Sequence, residues 1–176
     1  MRRGFKSWCE EQSLYWRGEF NLSAHQHLPS RDLADRFDIE IVCPEDIPGL
    51  AQDDITRLLH HDPRSWSAVT VSVDRCSIII NNPKNSKARQ ESDIMHEMAH
   101  IICEHDPIGL RPLPGLPFPF REYRKSDEEE AEWLGACLQI PRDGLLWVIK
   151  NGIRTNDQIA AHFVASLDMV QFRRNK

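Results

Sequence analysis

The sequence predicts an α+β fold, a small antiparallel sheet packed on one central helix with a second long helix and C-terminal helices after it, and three stretches carry that prediction. Trp66-Ser67-Ala68-Val69-Thr70-Val71-Ser72-Val73 alternates as a half-buried strand does. Cys76-Ser77-Ile78-Ile79-Ile80 is a second β-branched run after a turn at Asp74-Arg75, so the two form a hairpin. From about Ser86 to Glu104, Ile94, Met95, Met98, Ala99, Ile101 and Ile102 recur at helical spacing and mark a largely buried helix. Ser126-Asp127-Glu128-Glu129 reads as a capping box with Ser126 as N-cap. It opens a helix through Ala131, Trp133, Leu134, Ala136, Cys137, Leu138 and Ile140 that Pro141 brings to an end.

The remaining segments follow from the same signals. Ser7 to Phe20 reads as helix and Asn21 to Pro29 as a polar connector. Ser30 caps a short amphipathic helix to Phe37, Ile39-Glu40-Ile41-Val42 is a strand, and Asp53 to His60 is helical after a break at Pro44 to Gly49. His60 and His61 close that helix, where the macrodipole favours them. His105 to Arg121 reads as an extended loop, because Pro107, Pro112, Pro114, Pro117 and Pro119 interrupt it. Thr155-Asn156-Asp157-Gln158 is a second capping box, leading into Ile159 to Ser166 and then Val170, Phe172, Arg173 and Arg174.

At 176 residues with 40% hydrophobic composition the chain can bury one good core. We expect one domain over residues 1–176, with an N-terminal extension at 1–29, a central part at 30–140 and a helical part at 141–176. A net charge of −5 gives no general attraction to nucleic acid or to an anionic membrane surface. No apolar run approaches a membrane span, and the first residues do not lead into a signal-peptide core, which points to a cytoplasmic protein. The five cysteines are odd in number, scattered and never arranged as CxxC. A disulfide frame or a cysteine-based metal site is therefore not expected.

Chemistry concentrates at His96-Glu97-Met98-Ala99-His100, an HExxH pentapeptide. On a helix, positions i and i+4 lie one above the other, so both imidazoles project from one face at a spacing that suits a single tetrahedral ion. Two histidines and a glutamate inside an apolar helix are costly without a partner, and a cation is the economical one. Glu97 lies beside them, placed to act as a general base on water. Downstream, Glu128 and Glu132 share a helix face at i and i+4. Either could be a third ligand while the other orients a ligand histidine. The ion that suits such a donor set is zinc, one per chain. His105 does not extend the motif to the metzincin pattern, because Cys103 and Asp106 stand where that pattern needs Gly and His; it reads as a helix-end histidine.

HEMAH at 96–100 followed by EEEAEWLGACLQIP at 128–141 resembles the ImmA/IrrE family of gluzincin-type metallo-endopeptidases, whose second helix reads approximately ExEANxFAAxLLMP. Glu128, Glu130, Ala131, Ala136, Leu138 and Pro141 match position by position. Trp66-Ser67-Ala68, Ile79 to Pro83 and Arg89 are similar to the family's approach to its active-site helix. The resemblance runs from about Ser30 onward. It implies a zincin-like fold with His96, His100 and Glu128 as metal ligands and Glu97 as the base. It also implies an intracellular protease of bacterial or phage origin acting on a protein partner such as a helix-turn-helix repressor or an antitoxin. Departures fall at Glu132, Leu134, Gly135 and Gln139, where the family usually has Asn or Asp, Phe, Ala and Leu. Tyr123, Arg124 and His162 are candidates for stabilising an oxyanion. Two other readings remain: a DNA-binding metalloregulator built on the C-terminal helices, and an inactive relative that binds a partner without cutting it.

Overall fold

The computed structural model describes residues 2–61, 63, 65–73, 76–111 and 120–175. The chain runs through α1 (Phe5–Glu19), α2 (Ser30–Arg36), β1 (Glu40–Val42), α3 (Gln52–Thr56), β2 (Ala68–Val73), β3 (Cys76–Asn81) and α4 (Lys87–Ile102). A small hairpin of β4 (Gly109–Arg111) and β5 (Phe120–Glu122) follows. After it come α5 (Lys125–Gln139), α6 (Arg142–Lys150), α7 (Asn156–Phe163) and α8 (Leu167–Arg174). The architecture is α+β, as the hydrophobic pattern predicts. No helix among the described residues is long and apolar enough to cross a membrane.

The three-stranded sheet has the order β1-β3-β2 and is mixed. β2 and β3 pair antiparallel, with Val71 opposite Ile78, as a hairpin must. β1 pairs parallel to β3, with Ile41 opposite Ile79, so the expectation of a wholly antiparallel sheet is corrected at this strand. A tight turn permits only antiparallel pairing, whereas the long crossing segment between β1 and β2 leaves the direction to packing. The two-residue period then sorts the side chains. Val42, Val69, Val71, Ile78 and Ile80 pack with Leu58, Leu59 and Trp66. Ile41, Ala68 and Ile79 join the other core, beneath α4. Thr70 stands on that same α4-facing side by alternation.

The main core is built where α4 meets α5. Ile94, Met95, Met98 and Ala99 pack with Ala131, Leu134, Cys137 and Leu138, and the N-terminal extension adds Phe5 and Cys9 from α1. α1 also closes the far end of α5. Ile140 leaves helical geometry ahead of Pro141, which leaves the last carbonyls of α5 without helical partners. The buried Arg17 guanidinium donates to Leu138 O at 2.8 Å and Gln139 O at 3.1 Å. Gln139, which departs from the resembled pattern, is a buried pin. Its Oε1 accepts from Ser92 on α4 at 2.9 Å and its Nε2 donates to Val164 O after α7 at 3.2 Å. Cys9 and Cys137 are buried free thiols.

Several boundaries differ from expectation for local reasons. Ser30 is the first helical residue rather than a cap, and its buried N–H donates to Glu91 on α4 at 2.8 Å. α5 starts at Lys125, one residue before Ser126, so Ser126 makes no capping box and instead bonds Asp127. The box at Thr155 and Gln158 does form. Residues 57–61 widen into a π turn after α3. The proline-rich segment is not loop throughout, because its ends pair as β4 and β5, with Leu110 opposite Arg121. Its middle, 112–119, and the Asp74-Arg75 turn lie outside the described residues.

Gly135 fixes how closely α5 can approach the metal-motif helix. A Cβ built there would sit 3.2 Å from Met95 O and 3.3 Å from the Cα of His96. Gly135→Val is expected to push the helices apart, costing about 1–3 kcal/mol of stability by overpacking. Urea unfolding measures that loss, and zinc titration of the folded fraction should weaken in parallel because α5 carries Glu128. Unchanged stability and affinity would show that the close approach is dispensable.

Candidate metal centre

His96, Glu97 and His100 lie on the α4 side that faces β2 and Tyr123, where His96 and Glu97 are half-buried and His100 is buried. Glu128 lies in the first turn of α5. His96 Nε2 and His100 Nε2 are 3.2 Å apart, His96 Nε2 and Glu128 Oε2 are 3.2 Å apart, and His100 Nε2 and Glu128 Oε2 are 3.6 Å apart. Nitrogen and oxygen donors about 2.0–2.1 Å from a tetrahedral centre are separated from one another by about 3.3–3.4 Å. The three atoms therefore span one face of a tetrahedron that a zinc-sized cation would complete. Two imidazole lone pairs directed at one another also repel unless a cation or proton lies between them. These residues fit a metal.

Among the described residues, this trio is the group of His, Cys, Asp and Glu side chains close enough to hold an ion, and Glu132 is outside it. Glu132 is exposed one turn farther along α5. It acts at a distance, through its charge on His96.

Electrostatics divide the two histidines. Burial disfavours the charged form of His96, but the Glu128 acceptor and the charges of Glu97, Glu128 and Glu132 outweigh it and raise its pKa above the usual value. His100, only 2% exposed, is lowered by burial and by its histidine neighbours despite the Glu128 contact. Glu128 is held far below the ordinary carboxylate range by its hydrogen bonds to His100 and His96. Glu97 moves the other way. Burial raises it, against the opposing pull of His96 and of Thr70, whose hydroxyl donates to Glu97 Oε2 at 2.5 Å.

The surroundings of His100 hold two residues of special interest. Tyr123, directly after β5, stacks on the His100 ring at 3.8 Å between centroids and 17° between planes. Its hydroxyl is buried with no well-formed hydrogen bond. Burial pushes the phenol pKa up against the pull of Arg121, so the group keeps its proton. His105 comes back to the edge of the same ring, with its Nδ1 3.0 Å from His100 Nδ1.

Thus His96, Glu97, His100 and Glu128 come together, and Tyr123 joins them. Arg124 is exposed and pairs with Asp127. His162 lies on α7 with Nε2 2.7 Å from His25 O, away from the site. Sequence reasoning missed Thr70 and His105. The strand alternation that places Thr70 opposite α4 was a usable signal for the first. In the C-terminal helices, Arg173 is turned inward onto Ile140 O and Glu10, and Arg174 bonds Arg154 O and Asn156. Both arginines at the end of α8 are thus engaged within the protein.

An α+β domain whose HExxH helix faces a glutamate on the following long helix is a metallopeptidase-type domain. The family described as the IrrE N-terminal-like domain, peptidase M78, matches residues 51–175, and the chain belongs to that family. α1, α2 and β1 lie outside the matched stretch. No curated protein and no solved structure matches the chain.

Removing one carboxylate at a time separates the two glutamates. Glu128→Ala should lose the bound metal, and Glu132→Ala should keep it, as read by zinc content after gel filtration. The opposite pattern would reassign the third ligand. Acid provides an independent check. A raised His96 pKa means that a proton occupies the donor nitrogen below that value, so zinc affinity should fall about tenfold per pH unit as pH drops through it. The fall should steepen below the lowered value of His100. A flat affinity profile between neutral and mildly acid pH would remove His96 from the ligand set.

Proposed function

We propose that this chain is a zinc-dependent endopeptidase in which His96, His100 and Glu128 hold the ion and Glu97 is the general base. Its substrate, on this reading, is a protein partner, a helix-turn-helix repressor or an antitoxin, as the family resemblance implies. The observation that carries the proposal is the tetrahedral-edge spacing of three donor atoms with a buried carboxylate beside them. Zinc bound there would supply Lewis acidity, making water nucleophilic near neutral pH and polarising the scissile carbonyl.

The protein groups have distinct tasks. Glu97 takes a proton from water and returns it to the leaving amine. Its raised pKa suits both transfers, because a base poised nearer neutrality is a better donor on the return step. A cation at the neighbouring histidines would draw that pKa back down, so the burial of Glu97 offsets the ion beside it. The Thr70 hydroxyl holds one carboxylate oxygen and leaves the other for water. The protonated Tyr123 phenol is the assigned donor to the developing oxyanion. Substrate alignment follows from the sheet order: β2 pairs on one side only among the described strands, and it carries Thr70. An extended peptide added along β2 would run past Glu97, held by main-chain hydrogen bonds.

Glu97→Gln should retain zinc and stop cleavage of a repressor or antitoxin encoded beside this chain, whereas His96→Ala should lose both. Gel electrophoresis of the co-incubated partner and metal analysis of the purified variants provide the two measurements. Cleavage surviving in Glu97→Gln would overturn the base assignment. A zinc-loaded parent that leaves such partners intact would overturn the substrate class.

A further inference from the structure

We propose that His105, backed by Glu130 and Arg2, is a positioning residue that fixes the tautomer and ring orientation of His100 for metal binding. The inference rests on the metal reading above and concerns residues outside the ligand set.

The geometry begins at the end of α4. Glu104 takes the left-handed conformation, φ 53°, and the chain closes a Schellman turn in which Glu104 N–H donates to Ile101 O and His105 N–H donates to His100 O. That conformation is unfavourable by about 1–2 kcal/mol for a residue with a Cβ. It folds His105 back onto the residue whose carbonyl it caps. The His105 side chain is 6% exposed, and its Nδ1 meets His100 Nδ1 at 3.0 Å.

Proton bookkeeping along this contact has one consistent solution. His100 directs Nε2 at His96 and Glu128, so a cation there takes the Nε2 lone pair and the ring proton must sit on Nδ1. That N–H can donate only to a bare His105 Nδ1, which places the His105 proton on Nε2. His105 Nε2 lies 3.5 Å from Glu130 Oε2. Glu130 is in turn held by the Arg2 backbone N–H on Oε1 and by the Arg2 guanidinium on Oε2, each at 3.1 Å. The buried His105 Nε2 has no well-formed hydrogen bond and faces the Glu130 carboxylate at ion-pair distance, so a carboxylate, a histidine and His100 stand in series with the outer link electrostatic. Groups behind a ligand of this kind set its basicity and direction, and losing one weakens metal binding about 10–100-fold. The alternative is that His105 only fills space at the helix end.

The test uses the full chain and zinc itself, with affinity read by competition against a chromophoric chelator. His105→Phe keeps a ring but removes the acceptor, and a 10–100-fold loss of zinc affinity is expected. His105→Asn puts Oδ1 near the position of Nδ1 and should regain most of that loss. The cobalt-substituted protein should show a shifted visible spectrum in the Phe variant and a parent-like one in the Asn variant. Should His105→Phe fail to fold, Glu130→Ala replaces it, with a loss of the same sign expected against the Asn variant. Parent-like affinity in His105→Phe, or equal losses in the Phe and Asn variants, would overturn the proposal and leave the metal reading standing. A parent chain that binds no zinc would overturn both.

Discussion

Two like-acting imidazole nitrogens and a carboxylate oxygen lie within 3.6 Å of one another, and the rest of the molecule is arranged around that crowding. One helix can supply the nitrogens, because its own pitch stacks His96 over His100. The oxygen must come from elsewhere, so α5 has to lie against α4 at a fixed separation and rotation. Gly135 permits the approach, while the apolar faces of both helices supply the attraction. The buried Gln139 ties α5 to Ser92 of α4 and to the turn after α7, which sets the rotation. Arg17 closes the C-terminal end of α5 from a segment outside the matched family region. The N-terminal helix is thus part of what holds Glu128 in place.

The site is polarised by depth. Glu97 and His100 sit where water is scarce, so burial dominates their titration. Glu128 is more exposed and is governed by its partners. This separates two carboxylates of similar intrinsic acidity into one that stays ionised beside the histidines and one whose affinity for a proton is raised. The difference follows from helix geometry. Glu97 points between α4 and the sheet, against Thr70, whereas Glu128 stands at the solvent-facing start of α5.

Where local signals and observed boundaries disagree, tertiary contacts supply the reason. Ser30 has the chemistry of an N-cap, but its backbone N–H is claimed by Glu91 across the α2 and α4 contact. Ser126 begins a pattern that matches a capping box, yet α5 starts earlier and Glu128 is drawn toward the histidines. Thr155 has no such competitor and caps as its sequence indicates. His105 looked like an ordinary helix-end residue because its spacing misses a known motif. A left-handed residue ahead of it, which no residue-type preference announces when that residue is Glu, turns it inward.

The sequence by itself determined the α+β class, the hairpin, the metal-motif helix and the grouping of His96, Glu97 and His100 on it. Each of those is written in a short repeat, a period of two, a period near 3.6, or a fixed i to i+4 spacing, that a single element enforces locally. Only the tertiary structure decided that β1 runs parallel to β3, that Glu128 rather than Glu132 meets the histidines, and that Thr70, Tyr123 and His105 surround them. These outcomes depend on how separate elements rotate and translate against one another. That is fixed by the sum of many packing contacts and not by any spacing along the chain.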